Sequence, residues 1–132
     1  MAITNTLAEH WKYVSEGGAT VVFSYIGPPN PHFSGMVLRL SKSSGILHDQ
    51  YDFIEFQQKC IGRLIPSQYL PCLKVVVFDR IWIERFVSLH DVDRPQHRRN
   101  EDQIDLTRKT GVLATDLVGG DWLAVEIKVI RL

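Results

Sequence analysis

The feature that most limits how this chain can fold is the segment Gly27-Pro28-Pro29-Asn30-Pro31. A proline has no N–H to give a sheet ladder, and the residue before it is pushed toward extended or turn geometry. No helix or central strand runs through such a stretch, so the chain must turn there. The run before it, Thr20–Ile26 (TVVFSYI), is β-branched and aromatic, and the run after it, Gly35–Leu40 (GMVLRL), is apolar. They are predicted as a strand and its return. A second break, Gly17-Gly18, separates Thr20–Ile26 from Trp11–Ser15, a further predicted strand. The three make an antiparallel meander with one tight glycine turn and one longer proline turn.

Beyond it, Ser41–Gly45 reads as a polar loop. Asp49–Leu64 carries apolar residues at helical spacing, with Asp52 and Glu55 placed as a capping box, and Pro66 and Pro71 end it. Leu73–Phe78 (LKVVVF) and Ile81–Leu89 (IWIERFVSL) read as strands. Asp91–Lys109 draws 10 of its 19 residues from Asp, Glu, Lys and Arg and reads as a surface loop. Val112–Val118 reads as a strand, Gly119-Gly120 as a turn, and Trp122–Leu132 (WLAVEIKVIRL) as a final strand with an apolar edge. The expected fold is α+β: an antiparallel sheet of about five or six strands with one packed helix, in a single domain over residues 1–132.

Composition narrows the function. With 45% hydrophobic and 23% charged residues the chain is an ordinary globular one. Fifteen basic residues balance 15 acidic ones, so whole-chain charge makes no case for nucleic acid or an anionic membrane. Positive charge is nonetheless concentrated at Arg94, His97, Arg98 and Arg99. Two cysteines, Cys60 and Cys72, and five scattered histidines offer neither a disulfide framework nor zinc spacing. No signal peptide or membrane-spanning run is visible, and an intracellular monomer in cytoplasm or nucleus is expected.

Three segments have chemical potential. Glu16-Gly17-Gly18-Ala19-Thr20 lies between two strands. It reads as a plain hairpin or as a turn whose backbone closes on phosphate oxygens. Arg39 stands alone in an apolar strand, where alternation sets it with Val37 opposite Leu38 and Leu40. It is either a solvent-face arginine or a cation aimed at nucleotide phosphates, for which its forked donors suit it. In Val125-Glu126-Ile127-Lys128, Glu126 and Lys128 share one face, as an ordinary ion-paired face would also have them.

Together these segments resemble one family. WKYVSEGGATVVFSYIGPPNPHFSGMVLRLSK is similar to the opening of inositol-pentakisphosphate 2-kinases, with its E-G-G-A-N/T turn and its V-[LI]-R-[LI]-x-K strand. Gly119–Lys128 resembles the segment ending in V-E-I-K-P-K, and Arg94-Pro95 an R-P pair of the family. The resemblance covers nearly the whole chain but only the N-terminal part of the family's domain. It implies a kinase-like N-lobe of an enzyme that moves the γ-phosphate of ATP to the 2-hydroxyl of inositol pentakisphosphate, giving phytate. Carried across, Glu16, Gly17, Gly18, Ala19 and Thr20 cover the nucleotide, Arg39 binds its phosphates and Glu126 lies beside it. Lys128 meets transferred or substrate phosphates, and Arg94 reaches a phosphate of the inositol.

The chain also departs from the pattern. Val129 and Ile130 replace the expected Pro-Lys, Ser43 or Ser44 stands where some members have a basic residue, and Thr20 replaces the commoner asparagine. The resemblance also implies a C-lobe, with the aspartates that would hold Mg2+ and activate the hydroxyl, and these 132 residues are expected to lack it. The sharp departure after Lys128 is what a truncated or mis-spliced product, or an error in the gene model, would give, and the lone chain is expected to be inactive. Two rival expectations are a noncatalytic module binding nucleotide or inositol polyphosphate, and an α+β interaction domain with accidental motif matches.

Overall fold

In a computed structural model, residues 2–43 and 54–117 are described. They build a five-stranded antiparallel sheet in the order β1-β2-β3-β5-β4. The strands are β1 (Trp11–Glu16), β2 (Thr20–Tyr25), β3 (Met36–Ser41), β4 (Leu73–Val77) and β5 (Thr110–Thr115). The meander forms as the two turns dictate. At the proline turn Phe33 folds back into the core against Trp11 and Tyr25, and Gly35 supplies the positive φ of 76° that leads into β3. Gly27 is required there by space, because a Cβ would sit 2.7 Å from His10 Cγ and Tyr25 Oη.

One strand expectation is overturned. Residues 81–89 are not a strand; they lie within helix α1 (Arg80–His90). Asp79 caps it, its Oδ1 accepting the Trp82 N–H at 2.8 Å. Its buried residues Ile83, Phe86 and His90 recur at helical spacing. The short apolar run admits both periods, but Glu84 and Arg85 are exposed side by side, which strand alternation cannot arrange. This helix packs on the sheet. Phe78, Trp82 and Phe86 stack along it, and Phe86 meets Phe23 of β2 edge-on at 4.7 Å. The amino-terminal segment closes over α1: Trp82 Nε1 donates to Thr6 O at 3.0 Å, His90 Nε2 to Ala8 O at 2.7 Å, and Ile3 is buried.

Two loop expectations also change. Asp91–Lys109 is folded, with a 3-10 turn (Asp91–Asp93), helix α2 (Gln96–Glu101) and a backbone bridge from Ile104 to Lys42. Lys42, placed in a polar loop by its neighbours, is buried. Of the charged side chains in Asp91–Lys109, Arg94 is buried, while Asp93, Glu101 and Lys109 are exposed. Residues 54–64 are helical as predicted and end where Pro66 holds Ile65 extended. This stretch buries none of the residues of its Gln57–Ile61 and Gly62–Leu64 turns, so the packed helix is α1. Asp52, the Gly119-Gly120 turn and the strand Trp122–Leu132 lie outside the described residues.

Candidate functional site

Register across the sheet decides which predicted residues meet. Ser15, Val22, Arg39, Val112 and Val75 form one row spanning all five strands. The neighbouring row holds Phe23, Leu38 and Leu113, and Phe23 meets α1. Side chains alternate along each strand, so Arg39 lies on the face away from α1, with valines on both sides. Leu38 and Leu40 are buried and Arg39 half-buried, as the alternation predicts.

The glycine turn joins β1 to β2 at the sheet's end. Gly17 N–H donates to Thr20 O at 3.0 Å, leaving Gly18 and Ala19 at the tip. Among the described residues the N–H groups of Gly18 and Ala19 donate to nothing, and both residues are exposed. Neither glycine is demanded by the fold. Both lack a positive φ, and a Cβ built on either meets nothing within 4 Å. Two small residues at a tip that does not need them keep the space above it open to something outside the chain.

Glu16 behaves otherwise. It pairs with Val21, one step past the Arg39 row, so its side chain points to the α1 face. There its carboxylate accepts from Arg94 Nε at 3.0 Å and Nη2 at 2.9 Å, and Lys42 Nζ lies 2.6 Å from Oε2. The Tyr13 hydroxyl also donates to Oε1, at 3.3 Å. Burial alone would raise the Glu16 carboxyl, but the hydrogen bonds and charges of Arg94 and Lys42 outweigh it and hold the group at about 2. Tyr13 is pushed up, first by burial and next by the Glu16 charge.

Arg94, expected to reach the inositol, is 3% exposed. Its remaining donors go to Asp91 Oδ1 at 3.2 Å and to the carbonyls of Arg98 and Asp102. Burial opposes its charge, but the Glu16 hydrogen bonds lead the contacts that raise its basicity. The structure therefore separates the predicted residues: Arg39 on one face, Glu16 with Arg94 on the other, and Gly17-Gly18-Ala19-Thr20 at the edge between them. Glu126 and Lys128 lie outside the described residues. Lys42 was missed, although it is the lysine that closes the V-L-R-L-S-K motif; that motif position was its signal.

Of the described acidic groups, Glu16 and Asp102 are engaged with cations. Glu16 is saturated by cations, Asp102 Oδ2 is bonded to Arg98 Nη1 at 2.8 Å, and among the described residues no three His, Cys, Asp or Glu side chains converge.

Sequence comparison gives the family. A family model described as inositol-pentakisphosphate 2-kinase matches residues 13–128, from β1 past the last described strand. The chain belongs to the inositol-pentakisphosphate 2-kinase family. Two curated relatives named inositol-pentakisphosphate 2-kinase, from Cryptococcus neoformans var. neoformans serotype D strains JEC21 and B-3501A, are each 30% identical over 138 aligned positions. The match takes in 94% of this chain but 33% of each relative, so the chain spans about a third of their length. For this family the five-stranded sheet with α1 on one face is the architecture of a kinase-like N-lobe.

Proposed function

We propose that this chain is the nucleotide-gripping part of an enzyme that transfers phosphate from ATP to the 2-hydroxyl of inositol pentakisphosphate. The observation that carries the reading is the glycine turn. Its tip exposes the N–H groups of Gly18 and Ala19, which have no acceptor among the described residues, and the fold has room for a side chain at Gly18. Converging backbone N–H groups make a good seat for phosphate oxygens. Arg39, two residues along the sheet from the turn and flanked by Val22 and Val112, is the cation for those phosphates. Phosphoryl transfer depends mainly on positioning and charge stabilisation, and these groups supply both for the donor.

The remaining roles follow from the resemblance and the fold. Glu126 would lie beside the nucleotide, and Lys128 would meet substrate phosphate. Arg94 would have to break several internal hydrogen bonds to reach an inositol phosphate, so its part is to hold Glu16 beneath the turn. Among the described residues no carboxylate is placed to hold magnesium or to take the hydroxyl proton. We therefore expect the chain alone to bind nucleotide without transferring phosphate.

Calorimetry with a non-hydrolysable ATP analogue and with inositol hexakisphosphate tests this. Saturable analogue binding, abolished in Arg39→Ala while the melting temperature holds, is the expected result. Binding of the inositol phosphate alone would instead indicate a noncatalytic polyphosphate module. No heat with either ligand would overturn the nucleotide reading.

A further inference from the structure

Lys42 is among the largest fully buried side chains, and burying an ammonium is costly unless it is paired and fully hydrogen-bonded. Its bonds converge on the glycine turn. Nζ donates to the carbonyl of Gly17 at 2.5 Å while pairing with Glu16, and Asp102 Oδ2 stands 3.6 Å away. Its own backbone N–H donates to the carbonyl of Ala19 at 2.9 Å. One residue thus holds the carbonyls at both ends of the tip.

The carbonyl of Gly17 and the N–H of Gly18 belong to one peptide plane. In a trans peptide these two groups point in opposite directions, so a cation that holds the oxygen inward turns the N–H outward. The same contact polarises the plane, since a hydrogen bond accepted at the oxygen strengthens the N–H as a donor. No cis peptide occurs among the described residues, and the Gly18 N–H is one of the two without a protein acceptor. Glu16 completes the arrangement: its carboxylate, braced by Arg94, holds the Lys42 ammonium in place.

We infer that Lys42 is a positioning residue for the nucleotide. From inside the fold it fixes and polarises the Gly17–Gly18 peptide so that the Gly18 N–H is presented to a phosphate oxygen, without itself touching the ligand. The inference rests on the nucleotide reading above and adds a residue on the opposite side of the turn from the ligand.

The test compares Lys42→Met, Lys42→Arg and the double variant Lys42→Met with Glu16→Gln. Lys42→Met leaves Glu16 in its ion pair with Arg94, so the single variant strands no buried carboxylate, and the double variant shows what Glu16 adds. Dissociation constants for the non-hydrolysable ATP analogue are measured beside melting temperatures and the 15N–1H heteronuclear NOE of Gly18. Expected are binding at least tenfold weaker in the Met variants, partial recovery in Lys42→Arg, and a lower Gly18 NOE with that of Leu113 unchanged. A folded Met variant that binds the analogue as the parent does would overturn the inference, because a purely structural lysine moves the melting temperature alone. If the parent binds no analogue, the nucleotide reading fails. The NOE then decides: an unchanged Gly18 value overturns the inference, and a lowered one upholds the hold on the peptide.

Discussion

Arg94 grips both carboxylate oxygens of Glu16, Nε to Oε1 at 3.0 Å and Nη2 to Oε2 at 2.9 Å, across 78 positions of sequence. The pair fastens the segment after α1 to the last residue of β1, directly beneath the glycine turn. A parallel two-bond fork of this kind fixes orientation as well as charge, which a lysine at position 94 would not do.

This pair sets an acid limit on stability. Glu16 titrates at about 2 in the folded chain, against an ordinary value of 4.5. The unfolded chain therefore takes up the proton first as the pH falls. The stabilisation is complete above pH 4.5 and is lost on the way down to about pH 2. Urea midpoints followed between pH 6 and pH 2 should fall through this window. Glu16→Gln should be less stable at neutral pH by about 3 kcal/mol, the cost of leaving buried cations unpaired, and should show a shallower acid decline.

The two kinds of glycine in this chain should respond in opposite ways. Gly18→Val places a side chain in open space, so its melting temperature should stay within about 2 °C of the parent, while affinity for the ATP analogue falls at least about tenfold. Gly27→Ala should instead be destabilised, by about 1–3 kcal/mol, because the added methyl overlaps His10 and the Tyr25 hydroxyl. Thermal scans and calorimetry on the two variants distinguish a glycine kept for a ligand from one kept for packing.

Helix α1 owes its start to Asp79. Asp79→Ala should cost about 1 kcal/mol by stranding the Trp82 N–H, which corresponds to a fall of about 4 °C in melting temperature for a domain of this size. A strand over residues 81–89 would feel no such loss, so circular dichroism melting also checks the assignment.

The core beneath that helix depends on one ring. Phe86 is fully buried and touches Phe23, Trp82 and His90. Phe86→Ala should destabilise the chain by about 3–5 kcal/mol in urea unfolding, since close-packed aromatic neighbours cannot collapse into the space.

The meander was legible in the sequence because its constraints are local. Prolines forbid ladder bonds wherever they occur, and β-branched runs on either side of a glycine pair have few other uses. Arg39 was legible for the same reason, through simple alternation. The helix at Arg80–His90 was not, because Ile81-Trp82-Ile83 satisfies both periods over so short a run. Only Asp79 ahead of it and the adjacent polar pair Glu84-Arg85 carried the distinction. The fold of residues 91–105 was hidden for another reason. Charged residues ordinarily mark solvent, and here Arg94 is buried because its partner lies on a strand far away in sequence. Lys42 shared that fate in part: its place in the V-L-R-L-S-K motif marked it, but its burial follows from Glu16 and Gly17, a pairing its neighbours do not announce.

The amino-terminal segment gives the sheet a protected border. Ala2 bridges Val77 in parallel, and Ile3 N–H donates to Val77 O at 3.2 Å, on the side of β4 away from β5. A bare β4 would present unpaired backbone groups beside an exposed valine, an open template for a strand from another molecule. The few residues ahead of the 3-10 turn at Ala8–His10 therefore guard against self-association, and a preparation lacking them is expected to aggregate while its α1 core is still intact.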